Sequence, residues 1–327
     1  MTQVVGVLGT GEMGGAVGLM LRRAGHRVVT ALADRSAPSR DRAVRAGIED
    51  AGSLAAVLAG CDLFLSILPP ANALAFARDA AALAAAGRRE LVYADCNAVA
   101  PATVCEIAEL FADGPARFAD AGIVGPPPVA GTSSPTRFYV SGPARDAVLG
   151  LEVPELAMID MGAPVGRASA VKMCYAAMNK GVDALYANLL LAARRLGVGN
   201  ELMLELEASQ PEAACRMTRR TPLLPAKAQR FVGEMEEIAA TFDAAGVSGD
   251  FYRGAAWLYA LLARAARDGG AAAMPAAAPG EEPAEAPAEA PAEAPATPSG
   301  APALEAALAA FAAILDRPNE EPVETGS

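Results

Sequence analysis

The sequence has 327 residues, of which 53% are hydrophobic, and a formal net charge of −11. This composition allows a sizeable core and predicts about two folded domains. Residues 281–327 hold ten acids and one base, so most of the negative charge lies near the C-terminus. The charge balance excludes nucleic-acid binding, which needs clustered lysine and arginine.

Histidine and cysteine usage narrows the chemistry further. The chain has one histidine, His26, which excludes a histidine-rich zinc site. Five cysteines are scattered without a CxxC pair, which is typical of reduced, cytoplasmic proteins. The sequence shows no signal peptide and no apolar run of membrane-spanning length. We therefore expect a cytoplasmic protein with no metal site and no membrane partner.

The first half of the chain alternates short strands with helices. The pattern predicts strands over 3–8, 28–32, 62–68, 90–94 and 116–119, and helices over 13–24, 53–59, 71–86 and 101–112. Strands that alternate with helices are typical of an α/β fold with a doubly wound parallel sheet. We predict such a Rossmann domain over residues 1–165.

The second half is helical. The pattern predicts a long helix from about 169 to 196 and further helices over 200–208, 211–218, 225–245 and 250–267, which gives an all-helical domain over 166–270. Residues 271–302 contain eight prolines and three Ala-Glu-Ala-Pro repeats, and predict a disordered linker. Apolar residues at helical spacing then predict a C-terminal docking helix over 303–317.

A glycine-rich turn follows the first predicted strand. Gly9, Gly11 and Gly14 match G-x-G-x-x-G between a strand and a helix. In this motif the first glycine permits a tight turn, the second lets the backbone approach a pyrophosphate, and the third allows close helix packing. The motif predicts a dinucleotide site formed by six consecutive residues: Gly9, Thr10, Gly11, Glu12, Met13 and Gly14.

The end of the second strand bears on the choice of cofactor. Asp34 is placed to accept the ribose hydroxyls of NAD, whereas Arg35 and Ser36 suit the 2′-phosphate of NADP. Three arginines between residues 40 and 45 add positive charge, although they also fit a solvated helix face. We favour NADP and leave NAD open.

Together these segments resemble the β-hydroxyacid dehydrogenase superfamily, which includes 6-phosphogluconate and 3-hydroxyisobutyrate dehydrogenases. The resemblance covers about residues 1–196 and is carried by six segments: Gly9-x-Gly11-x-Met13-Gly14, Gly25-His26, Leu68-Pro69-Pro70, Asp95-Cys-Asn97, Asp120-Ala-Gly122-Ile-Val-Gly125 and Gly166-Arg-Ala-Ser-Ala-Val-Lys172. The stretch from Pro225 to Glu237 resembles a branch whose helical domain contains a domain of unknown function.

The resemblance implies roles for individual residues. Leu68 and Pro69 would lie beside the nicotinamide, Asn97 would reach the nicotinamide or the substrate, and Lys172 would be the catalytic acid/base. It also implies a homodimer of intertwined helical domains and a small-molecule substrate held between the domains. Four residues would line that substrate: Gly122, Ile123, Val124 and Gly125.

Independent chemistry supports Lys172. Removing a hydride from an alcohol leaves a proton to be taken up, and burial can lower the pKa of a lysine towards neutrality. Tyr175 and Asn179 fall within one and two turns on the same helix face, so they join Lys172 as candidate catalytic residues. A surface lysine on a long helix is the competing interpretation.

Two departures from the family pattern leave the substrate open. Val124 stands where family members often have a serine, and Tyr175 and Ala176 stand where two polar residues follow the lysine. We predict hydride transfer between a nicotinamide and a hydroxy acid or related alcohol or carbonyl, with decarboxylation where a carboxylate lies β to the new ketone. An imine or cyclic amine reductase, which Tyr175 keeps open, and a non-catalytic NADP(H) sensor are the alternatives.

The helical half also contains a group of basic residues. The group consists of Arg219, Arg220, Lys227 and Arg230. These side chains could bind an anionic substrate group, but glutamates at 234, 236 and 237 are close enough in sequence to form ordinary helix pairs with them. We favour the helix pairs.

Overall fold

The computed structural model describes residues 2–87, 90–268 and 301–315, which form two compact units. Of these residues, the first unit contains 2–177 and 236–249, and the second contains 178–235, 250–268 and 301–315. The units divide inside a long helix that begins at Arg167, and the division falls between Ala177 and Met178, twelve residues beyond the predicted boundary after residue 165. Residues 271–300 of the predicted linker lie outside the described residues.

The described part of the first unit is built on an eight-stranded sheet. Its strands are β1 (Val4–Leu8), β2 (Arg27–Thr30), β3 (Glu49–Asp50), β4 (Leu63–Ser66), β5 (Val92–Asp95), β6 (Arg117–Val124), β7 (Thr136–Ser141) and β8 (Leu156–Asp160). They lie in the order β3-β2-β1-β4-β5-β6-β7-β8. Neighbouring strands are parallel, except that β7 runs antiparallel to β6. The predicted doubly wound, mainly parallel sheet is confirmed.

Three strands, β3, β7 and β8, are missed by the sequence pattern. β3 is only two residues long, and β7 begins with alternating buried and half-buried residues rather than a continuous apolar run. β7 is antiparallel because its connection to β6, residues 125–135, contains no helix. A parallel return would need a crossover connection, usually helical.

Helices cover both faces of the sheet. They are α1 (Glu12–Arg23), α2 (Ala37–Ala46), α3 (Leu54–Gly60), α4 (Pro70–Gly87), α5 (Pro101–Glu109) and α6 (Arg145–Leu149), and α7 (Arg167–Arg195) begins in this unit. Side chains alternate along each strand, so Leu63 and Leu65 enter one apolar core and Phe64 enters the other. Residues of α1, α2 and α6 join the first core, and residues of α3, α4 and α5 join the second.

The second unit is helical. After α7 come α8 (Gly199–Ser209), α9 (Pro211–Arg220), a 3-10 turn at Thr221–Leu223, α10 (Pro225–Ala244), α11 (Asp250–Asp268) and α12 (Ala301–Leu315). Pro211 and Pro225 occupy the first turns of α9 and α10, where a missing backbone N–H leaves no helical hydrogen bond unmade. The last part of α10, from Glu236, belongs to the first unit.

The C-terminal helix α12 packs against α9, the 3-10 turn and α11. Its buried side chains are Leu304, Ala307, Leu308 and Phe311, which recur on one face of the helix. Across the described ranges, we find no helix with both the length and the apolar character needed to cross a membrane. Over the same ranges, no group of three or more His, Cys, Asp or Glu side chains is arranged to hold a metal ion.

Candidate active site

The candidate site lies at the carboxyl edge of the parallel strands. Ligands of open α/β sheets bind at this edge, beside the point where the strand order reverses. Here the order reverses between β1 and β4. The chain's single histidine lies at the opposite edge, since His26 directly precedes β2 and its Nδ1 accepts the Gln3 N–H at 3.4 Å. No histidine side chain therefore lies at the carboxyl edge.

The glycine loop after β1 has the geometry that its motif predicts. Gly9 has φ of 95°, and a Cβ there would lie 1.9 Å from the Ile67 carbonyl oxygen. A Cβ on Gly14 would lie 2.0 Å from the Gly9 carbonyl oxygen, so α1 packs tightly on the loop. Nothing lies within 4 Å of the corresponding position on Gly11. The loop is thus closely packed at Gly9 and Gly14 and open at Gly11.

The other residues of the loop anchor it and start α1. Thr10 is buried, and its hydroxyl donates to the Ser39 carbonyl at 3.0 Å, which ties the loop to the start of α2. Glu12 is exposed in the first turn of α1, whereas Met13 packs against the apolar core. Gly11 is the N-cap of α1 and provides no side-chain cap. The first N–H groups of a helix with such a start are available to an anion.

Asp34, Arg35 and Ser36 lie together in the loop after β2. Asp34 and Ser36 are exposed, and Arg35 is half-buried. Ser36 is the N-cap of α2, and its hydroxyl bonds the Ser39 hydroxyl at 3.1 Å instead of capping the helix backbone. Arg40 Nη1 donates to the Arg35 carbonyl at 2.7 Å. Asp34, which favours NAD, lies in the same loop as Arg35 and Ser36, which favour NADP. The arrangement of this loop is therefore compatible with either cofactor.

A polar network joins the ends of β4 and β5. Asn97 Oδ1 accepts the Leu68 N–H at 2.6 Å, and Asn97 Nδ2 donates to Ser66 Oγ at 3.1 Å and to Asp95 Oδ2 at 2.7 Å. Asp95 Oδ1 accepts the Asn97 N–H at 3.0 Å. The network holds Leu68 and Asn97 in fixed positions, with Pro69 exposed next to Leu68.

Asp95 is a fully buried carboxyl group. Burial raises its pKa to about 7, and the negative charge of Asp120 adds to the rise, while the Asn97 hydrogen bonds and the positive charge of Lys172 oppose it. Burial also raises the pKa of the neighbouring Cys96 thiol. Since a thiolate is the reactive form, Cys96 is not a nucleophile at neutral pH.

Lys172 reaches this network from α7. Its Nζ donates to the Cys96 carbonyl at 3.0 Å, and the residue is half-buried. Tyr175 lies one turn along α7 and is also half-buried. Asn179 lies two turns along, in the second unit, where its carbonyl accepts Arg216 Nη2 at 3.2 Å. The described structure therefore brings Lys172 to the strand end that carries Asn97.

Family models match both halves of the chain. Residues 4–148, which contain the glycine loop and Asn97, match the NAD binding domain of 6-phosphogluconate dehydrogenase. The chain carries an NAD-binding domain of this family. Residues 193–262 match a domain of unknown function (DUF1932). The resemblance drawn from the sequence motifs is confirmed, including the branch with the uncharacterised helical domain.

Solved structures share the fold over about four fifths of the chain. A conserved protein of unknown function, reported as structurally similar to 3-hydroxyacid dehydrogenases, is 28% identical with a TM-score of 0.57, over 81% of this chain and 98% of that one. A 3-hydroxyisobutyrate dehydrogenase of Mycobacterium tuberculosis is 20% identical with a TM-score of 0.60, over 81% and 94%. A reductive aminase from Aspergillus terreus is 22% identical with a TM-score of 0.51, over 82% and 95%. No curated protein matches the chain.

Within the NAD-binding domain, the predicted substrate residues lie at the end of β6. Gly122, Ile123 and Val124 are buried, and Gly125, with φ of 110°, turns the chain out of the strand. Ile123 enters the apolar core, whereas a Cβ on Gly122 would lie 2.5 Å from the Ala168 carbonyl oxygen and 3.2 Å from Lys172 Cβ. Gly122 therefore lets α7 approach β6 beside Lys172. The role of these residues towards a substrate stays a prediction.

Two acidic residues of the first unit make contacts that the sequence does not predict, although Glu237 was expected to pair with nearby basic residues. Asp120 is buried on β6, and its carboxylate accepts hydrogen bonds from the start of α7. Glu237 of α10 accepts the Ala100 N–H at 2.6 Å and the Thr103 hydroxyl at 3.0 Å, so it caps α5. Asp120 directly follows the strand predicted over 116–119, and an acid in such a buried segment indicates a polar contact, because a buried carboxylate needs partners. Nothing in the sequence indicates the partners of Glu237.

Among the basic residues of the helical half, Arg230 pairs as predicted and Arg220 does not. Arg230 pairs with Glu234 at 3.4 Å as an ordinary helix pair. Arg220 instead pairs with buried Asp183 at 2.7 Å, and Arg216, which was not singled out, pairs with the same carboxylate at 2.9 Å. The prediction that local glutamates neutralise Arg220 is wrong, because the helix packing brings an acid from α7 to α9.

Proposed function

We propose that the protein is an NAD(P)-dependent oxidoreductase that transfers a hydride between the nicotinamide and a hydroxy acid or a related alcohol or carbonyl compound. The observation that carries the proposal is the Lys172 amine, 3.0 Å from the Cys96 carbonyl at the strand end that holds Asn97. An amine at this edge is placed for proton transfer beside the segments expected to hold the nicotinamide.

The glycine loop fits a dinucleotide. Gly9 and Gly14 are packed too tightly to accept a side chain, while the open position at Gly11 leaves the backbone accessible to a pyrophosphate. The N-terminus of α1 favours its negative charge. A bound nicotinamide supplies the hydride acceptor or donor. The chain's contribution at that end is to hold Leu68 and Asn97 through the network of Ser66 and Asp95.

Lys172 moves the proton in this proposal. In oxidation the neutral amine accepts the hydroxyl proton of the substrate, and in reduction the ammonium returns it. Where the substrate has a carboxylate β to the new ketone, CO₂ can leave and the same ammonium protonates the carbon. Since Val124 carries no hydroxyl, the substrate need not be one of the serine-bound carboxylates of typical family members.

We propose NADP as the preferred cofactor. Arg35, Ser36 and Arg40 lie in or next to the loop after β2, where two guanidinium groups and a hydroxyl can meet a 2′-phosphate. Exposed Asp34 is the competing group for the ribose hydroxyls of NAD. The kcat/KM ratio for the two cofactors tests the preference: a tenfold advantage for NAD, about 1.4 kcal/mol, would show that Asp34 dominates.

The helical unit is proposed to form a homodimer. Met178, Leu185 and Leu189 of α7 are exposed, as is Leu196 directly after the helix ends. The spacing of seven and four residues places the three helical side chains on one face of α7. An exposed apolar stripe of this length is typical of an interface, and a second copy of the chain offers a matching stripe.

The Lys172→Met variant tests the mechanism. Methionine keeps most of the apolar stem and removes the amine, so we expect the helix and the cofactor affinity to be preserved while kcat falls by about 10² to 10⁴. Cofactor reduction with hydroxy acids, sugar acids and amino alcohols, run with NAD and NADP, identifies the substrate. Full activity of the Lys172→Met variant with that substrate would contradict the proposed mechanism.

Tyr175→Phe is the matched variant for an imine or cyclic amine reductase. Tyr175 is half-buried one turn from Lys172, so its hydroxyl is the second candidate proton donor on α7. If the phenylalanine variant loses more activity than Lys172→Met, Tyr175 is the proton donor. The result would then favour an imine or cyclic amine reductase. Turnover with no substrate in the presence of tight NADP(H) binding would favour a sensor.

A further inference from the structure

The start of α7 is tied to β6 by one buried carboxylate. Asp120 Oδ2 accepts the Ser141 hydroxyl at 2.8 Å, the Gly166 N–H at 2.9 Å and the Ser169 N–H at 3.2 Å. Asp120 Oδ1 accepts the Ser169 hydroxyl at 2.8 Å. The residue is completely buried. All four donors are neutral, and two of them are backbone groups at the N-terminus of the helix.

Backbone donors make this contact geometrically strict. A lysine or arginine partner can follow a moving carboxylate through its flexible side chain, whereas the N–H groups of Gly166 and Ser169 move only with the helix itself. The helix dipole also favours a negative charge at this end. Asp120 therefore sets both the distance and the rotation of the first turn of α7 relative to the sheet.

Lys172 lies one turn beyond this first turn. Gly122, two residues after Asp120 on the same face of β6, touches α7 at Ala168 and at the Lys172 Cβ. On the other side, Asp95 of β5 is the register partner of Asp120, and the carbonyl that accepts the Lys172 amine belongs to the next residue, Cys96. The Asp95–Asp120 pair of the sheet therefore lies next to both partners of the Lys172 contact, because Cys96 follows Asp95 and the first turn of α7 is bound to Asp120.

We propose that Asp120 is a positioning residue for Lys172: by binding the first turn of α7, its carboxylate holds the lysine amine at the Cys96 carbonyl. This proposal rests on the proposed role of Lys172 for its effect on turnover, but not for its effect on the position of the amine. Asp120 itself is completely buried, so it acts through the helix that carries Lys172.

The position of the amine can be observed without any substrate. The chain has three lysines, at positions 172, 180 and 227, so protein labelled with ¹³C at lysine Cε gives few signals. The Lys172→Met variant identifies the signal of Lys172. Asp120→Ala, Asp120→Asn and Ser53→Ala are then compared with the parent protein. Ser53 caps α3 by accepting the Ala56 N–H at 3.2 Å, so Ser53→Ala removes a helix cap far along the chain from α7.

Asp120→Ala is expected to shift the Lys172 signal and leave the Lys180 and Lys227 signals in place. Asp120→Asn is expected to restore the parent position, because its amide oxygen can accept the backbone N–H groups of Gly166 and Ser169 and its NH₂ can donate to the Ser169 hydroxyl. Ser53→Ala is expected to change none of the three signals. A folded Asp120→Ala protein with an unmoved Lys172 signal would overturn the proposal.

Turnover provides the second measurement. Asp120→Ala is expected to lower kcat at least tenfold with unchanged cofactor Kd, while Asp120→Asn stays within threefold of the parent. Equal losses in both variants would show that the charge of Asp120 matters rather than its position, which contradicts the proposal. If Asp120→Ala does not fold, Ser169→Ala, which removes one of the four bonds, must shift the Lys172 signal in its place. An active Lys172→Met protein would refute the proposed function and leave the signal test intact.

Discussion

The two units hold their buried acids in different ways. In the first unit, Asp95 and Asp120 bind backbone N–H groups, hydroxyls and an amide. In the second unit, Asp183 binds two arginines, and buried Glu234 binds Lys180 at 3.0 Å. Neutral donors on the backbone fix the course of the chain, whereas long cationic side chains join helices and tolerate small shifts. The first arrangement is suited to a site with strict geometry, and the second to a scaffold.

The largest expected effect is at the glycine loop of the first unit. Gly14→Ala places a Cβ about where the Gly9 carbonyl oxygen lies, since the two would be 2.0 Å apart. We expect a loss of about 3 kcal/mol or more in unfolding free energy, together with loss of cofactor binding. Denaturant unfolding and nicotinamide fluorescence measure the two effects.

Gly11→Asp is the matched change at the open position of the same loop. Nothing lies within 4 Å of a Cβ there, so the fold should be kept while the new carboxylate repels the pyrophosphate. Unchanged nicotinamide fluorescence quenching in a folded Gly11→Asp protein would contradict the assigned cofactor position.

In the second unit, Asp183→Asn should weaken the helix packing. An amide has one accepting oxygen in place of the two that bind Arg216 and Arg220, and it carries no charge. The arginine side chains are about one-third exposed, so water compensates in part. We expect a loss of about 2 to 3 kcal/mol in unfolding free energy by chemical denaturation.

Glu49→Gln is the control for that change. Its partner is Arg27, and both side chains are about half exposed, so the substitution should leave the melting temperature unchanged within error. Equal shifts for Glu49→Gln and Asp183→Asn would show that burial of the acid in the helical unit has no special effect.

The exposed face of α7 predicts an effect on assembly. Leu185→Lys places a charge in the middle of the apolar stripe and should raise the dimer dissociation constant at least tenfold, measured by sedimentation. Val44→Lys changes an equally apolar, exposed side chain on α2 of the first unit and should have no effect. A parent protein that is monomeric at all concentrations would refute the proposed interface.

A pH dependence of the unfolding free energy is expected at Asp95. Its pKa is about 7 in the folded protein and near 3.9 in an unfolded chain, so between these values the folded state holds a proton that the unfolded state has lost. Stability contributed by this group is therefore present at low pH and is lost as pH rises towards 7, at most about 1.4 kcal/mol per pH unit. Asp95→Asn lacks this dependence. Unfolding free energies that run parallel for both proteins from pH 4 to 8 would contradict the raised pKa.

The sequence predicts those parts of the fold that depend on local patterns. The glycine loop follows from the fixed spacing of Gly9, Gly11 and Gly14, and the helices of the second unit follow from apolar periodicity and proline starts. The antiparallel direction of β7 could have been predicted from the sequence, because three prolines at 126–128 argue against a helical crossover.

The contacts between segments far apart in the chain could not be predicted from the sequence. Asp120 binds N–H groups more than forty residues away, and backbone donors carry no side-chain signature in a sequence. Asp183 meets Arg216 and Arg220 only because α7 and α9 pack together. Lys172 was found through a family motif, whereas its partner, the Cys96 carbonyl, is a backbone group that any residue provides.

Strand β6 pairs with two neighbouring strands along different parts of its length. Residues 117–120 are in register with β5, residues 120–124 are in register with β7, and Asp120 belongs to both pairings. Changes in the second half of the strand and in the turn at Gly125 can therefore accumulate without disturbing the register of the strands that carry the nucleotide loop. In evolutionary terms, the pairing of β6 with β5 can be inherited intact while Val124, on the half that pairs with β7, diverges.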